Sequence, residues 1–203
     1  VDGRGRVRPQ WRGLLGAFSS LGYPALAERG RRLDRAFEED GVATVLAPDA
    51  ATGSGRARRP WRCDPVPLIL TGSEFATLEA GLGQRARLLA ALIEDLYGPQ
   101  SVLSSGALPA QLVYGNPHFL RPCRAQAMRP FPRLTFYGAD LLRGADGAWR
   151  VVADRCGGAN GVGFAAENRA LLARILPEAF RAVQVRPLRP FFDAWLDALQ
   201  ALA

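Results

Sequence analysis

Lysine is absent from this 203-residue sequence, so arginine supplies all 26 of its basic Lys and Arg side chains. The absence excludes a Schiff-base lysine, a P-loop lysine and a Ser–Lys dyad from the chemistry of this stretch of chain. Histidine is almost absent too, because His118 is the only one. A histidine-rich metal site is therefore excluded, and His118, at the end of a predicted Gly-Asn-Pro-His turn, is interpreted as a surface or packing residue.

Cysteine is scarce, and Cys63, Cys123 and Cys156 lie far apart in the sequence. They lack the spacing of metal ligands, and a single disulfide would leave an odd thiol. Reduced thiols in a cytoplasmic protein are the simplest interpretation of this usage.

Long hydrophobic runs are missing as well. No apolar stretch reaches the roughly 20 residues that span a bilayer, and the sequence has no signal-peptide pattern. We therefore expect a cytoplasmic protein that has no membrane partner. The sequence starts with Val1 rather than Met and stops inside a helical pattern, so we expect it to be a portion of a longer protein.

The net charge of +7 comes from arginines that are spread along the chain, with small clusters at Arg4–Arg8, Arg29–Arg35 and Arg56–Arg62. Dispersed arginines usually form solvated faces or ion pairs, and no RNA- or DNA-binding motif accompanies them. We interpret the heavy use of Ala, Arg and Gly as a compositional bias of the source, and we expect no nucleic-acid partner.

One stretch of the chain combines several chemically useful features. Residues 134–142 are rich in aromatic and β-favouring residues, residues 143–147 contain two turn glycines, and residues 149–153 favour a second strand. This pattern predicts a β-hairpin. The glycine-rich segment 157–163 follows, and a helix is predicted to begin near Phe164.

Each strand of the predicted hairpin carries a carboxylate near its end, Asp140 and Asp154. Two such carboxylates beside a glycine turn could hold Mg²⁺ against phosphate oxygens. The turn itself could direct backbone N–H groups at an anion where it opens the helix. The alternative is structural: strand-end aspartates often cap turns, and a glycine segment without a lysine can be a flexible crossover.

Apolar periodicity predicts the other elements. Ser73 is the predicted N-cap of the longest helix, and residues 67–71 are predicted to form a buried strand. The apolar stripe of the longest helix should face a core, while its arginines, Arg85 and Arg87, are interpreted as a solvated face. Helices are predicted over residues 9–21, 24–40, 74–97 and 164–182, the last with a break at Pro177, and a final helix begins at Pro187–Pro190.

These elements predict an α/β (α+β) fold with a central mixed sheet and helices packed on it. Residues 1–60 form a helical N-terminal section, and residues 61–203 form the sheet-containing part. The Gly-, Ser- and Arg-rich stretch 48–60 has no periodicity and is interpreted as the loop between the two.

The order of these pieces resembles the circularly permuted ATP-grasp family, distant relatives of glutathionylspermidine synthetase. The resemblance extends over nearly the whole chain and implies an ATP-grasp-like fold, of which this chain is the N-terminal portion. The segments that carry it are RPQW (8–11), RRPWRCDPVPLIL (58–70), GLGQRARLLAALIEDLYGPQ (81–100), FLRPC (119–123), YGADLLRGADGAWRVVADR (137–155) and GVGFAAENRALLARILPEAF (161–180).

The resemblance implies an ATP-dependent carboxylate–amine ligase that forms an acyl phosphate, which an amine then attacks. It implies ATP and Mg²⁺ as cofactors of the full-length protein, and small-molecule or peptide-like carboxylate and amine substrates. The remainder of its own ATP-grasp chain is then the partner of this portion. The implied site residues are the metal ligands Asp140 and Asp154, the catalytic candidates Arg155 and Arg121, and the cofactor-binding candidates Gly158, Gly161, Gly163, Asn168 and Arg169.

The sequence departs from the family at two points. Members usually read Asp-Arg-Thr-Gln-Ala-Pro-Ser-Gly at the end of the second strand, whereas residues 154–161 read Asp-Arg-Cys-Gly-Gly-Ala-Asn-Gly. The ATP-contacting lysines of such folds lie in the half of the protein that follows this portion. We therefore expect this portion to be inactive alone, and the alternative function is a non-catalytic binding or scaffolding domain on a degenerate ATP-grasp fold.

Overall fold

The computed structural model describes residues 5–45, 58–124, 134–158 and 160–202. The helices in these ranges are α1 (Pro9–Leu21), α2 (Tyr23–Glu39), α3 (Gly72–Tyr97), α4 (Ser101–Ser104), α5 (Ala110–Tyr114), α6 (Val162–Ile175), α7 (Pro177–Val183) and α8 (Arg189–Gln200). The strands are β1 (Ala43–Val45), β2 (Arg58–Pro60), β3 (Gly138–Arg143) and β4 (Trp149–Arg155), and a 3₁₀ turn covers Arg121–Cys123.

The chain divides into two compact units, and both are discontinuous in sequence. The first unit combines residues 1–71 with residues 161–191, and the second combines residues 72–160 with residues 192–203. These units do not coincide with the predicted sections 1–60 and 61–203. The predicted sections describe the family's domain boundaries, and they stay a prediction. Residues 48–57 of the predicted loop at 48–60 lie outside the described residues, and its last three residues form the strand β2 instead of a loop.

The first unit is a helical bundle in which α1 packs against α7 and α2 packs against α6. Its core is apolar because each of these helices turns one stripe inward. The largest fully buried side chains of the described residues all lie in this core: Leu14, Leu33, Phe37 and Leu176. Trp11, Phe18, Trp61, Ile69 and Phe180 pack around this core.

Two breaks position the helices of the bundle. Gly22 ends α1 with a φ of 77°, which glycine adopts without steric cost, and its N–H donates to the carbonyl of Phe18 at 3.0 Å. Pro177 begins α7 and separates it from α6, which confirms the predicted break. Arg29 of α2 reaches that break, where it donates to the carbonyl of Ile175 at 2.7 Å and to Glu178 at 2.8 Å.

The strands form two antiparallel ladders of two strands each, β1–β2 in the first unit and β3–β4 in the second. The α+β class is confirmed, but the described residues do not join into one central mixed sheet. The two ladders belong to different units, β1 and β2 contain only three residues each, and Pro60 in β2 cannot donate a backbone hydrogen bond.

In the second unit, two ion pairs connect the long helix α3 to the β3–β4 hairpin. This helix begins at Gly72, so Ser73 lies in its first turn and is not its N-cap. The predicted strand at 67–71 is not formed, because these residues pair with no other strand in the described part of the chain. A turn in which Asp64 accepts the N–H of Val66 at 2.8 Å precedes them. The apolar stripe of α3 is half-buried or exposed rather than buried in a core. Among the described residues, no helix is both long and apolar enough to cross a membrane.

The close contact between α1 and α7 makes a test of the bundle. A Cβ on Gly13 would lie 2.8 Å from the carbonyl oxygen of Ala182, whereas a Cβ on Gly16 in the same helix meets nothing within 4 Å. We expect Gly13→Ala to destabilise the chain by about 1–3 kcal/mol because the helices must separate. The matched variant Gly16→Ala should stabilise it by up to about 1 kcal/mol. Thermal unfolding followed by circular dichroism measures both, and equal effects would contradict the close packing of α1 on α7.

Candidate functional site

The register of the β3–β4 hairpin gives it two distinct faces. Ala139 pairs with Asp154 and Asp140 pairs with Ala153, so the two aspartates point to opposite sides, because partners in an antiparallel ladder share a face and neighbours alternate. Between Asp140 and Leu141 the ladder skips one residue of β4, which is Val152. This β-bulge sets which side of the hairpin each residue of β4 occupies.

We call one side the packed face and the other the open face. The residues of the packed face are all half-buried: Ala139, Leu141, Arg143, Trp149, Val151 and Asp154. The open face carries Asp140, Leu142, Arg150, Ala153 and Arg155. Leu142 is 58% exposed and the bulged Val152 is 60% exposed. Among the described residues, a ligand can therefore approach this hairpin more readily on the open face.

Asp154, on the packed face, is held by two partners. Arg85 of α3 donates two hydrogen bonds to its carboxylate, both at 2.6 Å, and the hydroxyl of Tyr137 donates a third at 2.6 Å. The bonds from Arg85 and then Tyr137 lower the pKa of Asp154 to about 2. Burial and the bond to Asp154 raise the pKa of Tyr137 to about 12. Asp154 is thus charged and Tyr137 neutral throughout the physiological range.

A second ion pair joins α3 to the same face. Arg143 donates to Glu74 at 2.7 Å, and its guanidinium lies 5.5 Å from the ring centre of Trp149. Glu74 and Arg85 are about three turns apart on α3, so the helix is attached to the hairpin at two separate places. Arg85, which the sequence analysis interpreted as part of a solvated face, has a side chain that is 46% exposed and that also donates to Asp154.

Asp140, on the open face, is paired with Arg155. The guanidinium donates from Nε to Oδ1 at 3.0 Å and from Nη2 to Oδ2 at 2.5 Å. The bond from Arg155 lowers the pKa of Asp140. Both side chains are about half exposed, at 43% for Asp140 and 55% for Arg155. The pair is therefore accessible, and a bidentate arginine of this kind can exchange one oxyanion for another.

The geometry of the hairpin limits how its aspartates could ligate a magnesium ion. The two aspartates lie on opposite faces of the hairpin, so in this register they cannot ligate one ion together. No group of three or more His, Cys, Asp or Glu side chains in the described ranges could hold a metal. The metal-ligand roles expected for Asp140 and Asp154 stay predictions. The register restricts them: Asp154 is committed to the clamp, and Asp140 could serve an ion only with other ligands and after Arg155 moves.

The glycine segment leads from the second unit into the first, and Ala159 in it lies outside the described residues. Gly161 has a φ of 95° and stands at the N-terminus of α6, which requires a residue able to adopt the left-handed conformation. Gly161 and Gly163 line an open cleft of about 400 Å³ together with Val42, Phe164 and Glu167. A Cβ on Gly158 would meet nothing within 4 Å, so its φ of 152°, rather than crowding, favours glycine there.

Two of the expected cofactor-binding residues serve the packing of the first unit. The side-chain oxygen of Asn168 accepts the indole N–H of Trp61 at 2.7 Å, and Trp61 stacks on Phe164 with ring centres 4.3 Å apart. The guanidinium of Arg169 lies 5.8 Å from the ring centre of Phe180, and burial lowers its pKa. Their roles toward a nucleotide stay predictions.

The catalytic candidate Arg121 has its contacts away from the hairpin. Its guanidinium lies over the ring of Tyr114 at 5.5 Å and lines a separate cleft. Of the predicted residues, the structure therefore brings together Asp140 with Arg155, and Gly161 with Gly163. Sequence reasoning missed Arg85 and Tyr137, although a carboxylate on the packed face of a strand requires a nearby donor or cation.

The clamp on Asp154 predicts a pH-dependent stability. We expect Asp154→Asn to lower the unfolding midpoint of the chain by a few degrees, and Asp140→Asn, a matched loss of charge on the open face, to have little effect. Because the pKa of Asp154 falls from 3.8 to about 2 on folding, its contribution is complete above pH 4 and is lost as the pH falls through about 2. Midpoints measured from pH 7 to pH 2 should converge for wild type and Asp154→Asn. Parallel curves over that interval would show that the clamp contributes nothing.

The chain matches the family described as circularly permuted ATP-grasp type 2 over residues 67–203. It is 34% identical to the uncharacterized protein Rv2567 of Mycobacterium tuberculosis over 203 residues, which are 98% of this chain and 23% of that protein. It is 32% identical to the uncharacterized protein ML0605 of Mycobacterium leprae, over 98% of this chain and 34% of that protein. It is also 35% identical, over 88% of this chain, to 20% of a Frankia casuarinae protein named "Putative glutamate--cysteine ligase 2-2".

The chain spans about a quarter to a third of the length of the mycobacterial proteins. The residues that the family match covers include α3, the β3–β4 hairpin, the glycine segment and α6 to α8. The chain belongs to the circularly permuted ATP-grasp type 2 family.

Proposed function

We propose that this chain is the N-terminal portion of an ATP-grasp-type carboxylate–amine ligase. The family match and the name of the Frankia relative support a ligase-like role. In the intact protein, the proposed substrates are a small or peptide-like carboxylate and an amine, and the proposed cofactors are ATP and Mg²⁺. The relative's name, a glutamate–cysteine ligase, is one instance of such a pair of substrates.

The observation that carries the proposal is the accessible pair of Asp140 and Arg155 on the open face. Arg155 is held in a fixed orientation by two hydrogen bonds, yet half of its side chain is exposed. A guanidinium placed in this way can bind the carboxylate of a substrate or stabilise negative charge on a transferring phosphoryl group. Asp140 serves as its resting partner, so that the arginine is oriented before a ligand arrives.

The chain should not complete the reaction alone. It contains no lysine, the open face of the hairpin presents an exposed Leu142, and the bulged Val152 next to that face is exposed as well. Exposed apolar side chains around a polar site are typical of a surface that another part of a protein covers. We propose that the remainder of its own ATP-grasp chain covers this face and supplies the missing groups.

One observation favours the alternative, a non-catalytic binding or scaffolding domain. Both conspicuous aspartates are neutralised by arginines, Asp154 by Arg85 and Asp140 by Arg155. A hairpin whose carboxylates are already paired needs no cation for its own stability. The glycines at residues 157 and 158, where the family has other residues, agree with such a loss of function.

Activity of the intact protein distinguishes the two functions. We expect ADP release that requires both a carboxylate and an amine, and we expect residues 1–203 alone to release none. Arg155→Gln should lower kcat/KM about tenfold or more, because it removes a charge that stabilises the transition state. Arg150→Gln is the control, because Arg150 lies on the same open face but pairs with Asp146 in the turn.

Two results would contradict the ligase proposal. If the intact protein releases no ADP with any acid and amine and shows no nucleotide-dependent heat, the scaffolding function is favoured. If Arg155→Gln and Arg150→Gln have equal kcat/KM, Arg155 does not stabilise the transition state of ligation.

A further inference from the structure

A second cleft lies in the 72–160 part of the chain, away from the contacts of the hairpin. It has a volume of about 290 Å³ and is lined by Tyr114, Phe119, Arg121 and Arg124. We call it the arginine–aromatic cleft. Two side chains supply positive charge and two supply aromatic rings, a composition that neither the family match nor the proposed ligase function explains.

The aromatic wall of this cleft, formed by Tyr114 and Phe119, is held in place by ring contacts and hydrogen bonds. Phe119 stacks on Tyr97 with ring centres 4.9 Å apart and meets Tyr114 edge-on at 5.6 Å. The hydroxyl of Tyr97 accepts the N–H of Leu120 at 3.1 Å, and the hydroxyl of Tyr114 donates to the buried Gln100 at 2.9 Å. Because α3, α5 and the segments that contain Gln100 and Phe119 hold these rings together, the wall is in place before any ligand binds.

The two arginines are available for an anion. Arg121 lies 5.5 Å from the ring centre of Tyr114 and donates one hydrogen bond, at 3.3 Å, to the carbonyl of the same residue. Neither Arg121 nor Arg124 forms a salt bridge with a carboxylate in the part of the chain that the structure describes. By contrast, Arg29, Arg85 and Arg155 each hold one. Among the described residues, the cleft therefore combines two guanidiniums with no carboxylate within salt-bridge distance of either.

The size and lining of the cleft indicate the class of ligand. Ligand pockets commonly measure about 300–1,000 Å³, so this cleft suits a molecule of amino-acid size better than a nucleotide. A guanidinium binds two oxygens of a carboxylate or a phosphate at once, and its flat face also stacks on planar groups. We propose that the arginine–aromatic cleft binds a small oxyanion with a planar body, a carboxylate or a phosphate monoester.

Ligand binding to the intact protein tests this proposal without nucleotide, so the outcome is separate from that of the ligase proposal. The probes are benzoate, phenyl phosphate, inorganic phosphate and the neutral benzamide, followed by isothermal titration calorimetry and saturation-transfer NMR. We expect saturable binding of benzoate or phenyl phosphate, and weaker binding of benzamide and of inorganic phosphate. The stronger of the first two identifies which oxyanion the cleft prefers.

Matched variants locate the binding. Arg121→Gln and Arg124→Gln should each weaken binding about tenfold, the effect of losing one charge-assisted hydrogen bond. Arg87→Gln is the control, since Arg87 is an exposed arginine of α3 that takes no part in the cleft. Phe119→Leu should weaken benzoate binding more than inorganic phosphate binding, because it removes the ring and keeps the charges. All these side chains except Phe119 are exposed, so an unchanged melting curve confirms that the arginine variants fold.

Three results would overturn the proposal. Absence of saturable binding by every probe would show that the cleft binds no such oxyanion. Equal binding of benzoate and benzamide would show that the arginines do not recognise charge. An equal effect of Arg87→Gln and Arg121→Gln would show that the anions bind to the overall positive charge and not to this cleft.

Discussion

The clamp of Arg85 and Tyr137 on Asp154 is the interaction on which the arrangement of the candidate site depends. It fixes which face of the β3–β4 hairpin lies against α3, and therefore which side chains remain accessible. Asp154 is hydrogen-bonded on the packed face, so the accessible ion pair of the hairpin is that of Asp140 and Arg155. The pair of Arg143 and Glu74 fixes the far end of the hairpin on the same helix, so the two faces cannot easily exchange.

Much of the fold follows from local patterns in the sequence. Apolar periodicity, Gly22 and Pro177 located the helices of the first unit and its two breaks within a few residues, because these signals act over a single turn. The hairpin was also foreseen, but the positions of its carboxylates were not. In a regular ladder Asp154 would occupy the same face as Asp140, and the bulge at Val152 moves it to the other. No pattern in the sequence predicts a bulge at Val152. The ion pair of Arg85 with Asp154 depends on that bulge, because the bulge places Asp154 on the face toward α3.

Arginine takes several structural roles in this chain in the absence of lysine. Arg29 ties α2 to the break between α6 and α7, Arg85 and Arg143 tie α3 to the hairpin, and Arg155 pairs with Asp140. Arg29, Arg85 and Arg155 each donate from two nitrogens to one carboxylate, the forked geometry that an ammonium group lacks. Membership in the circularly permuted ATP-grasp type 2 family therefore coexists with a hairpin whose negative charges are balanced internally. Arg121 and Arg124, which hold no carboxylate in the described part of the chain, lie instead beside Tyr114 and Phe119.

The first unit is assembled from the two ends of a long stretch of chain, residues 1–71 and 161–191. Helices α1 and α2 leave the ribosome early, but the surfaces that bury Leu14 and Phe37 belong to α6 and α7. At about 5–20 residues per second, synthesis of the intervening segment takes on the order of ten seconds. During that interval the N-terminal helices lack the surfaces of α6 and α7 that bury their apolar stripes, a delay that a bundle of sequentially adjacent helices avoids.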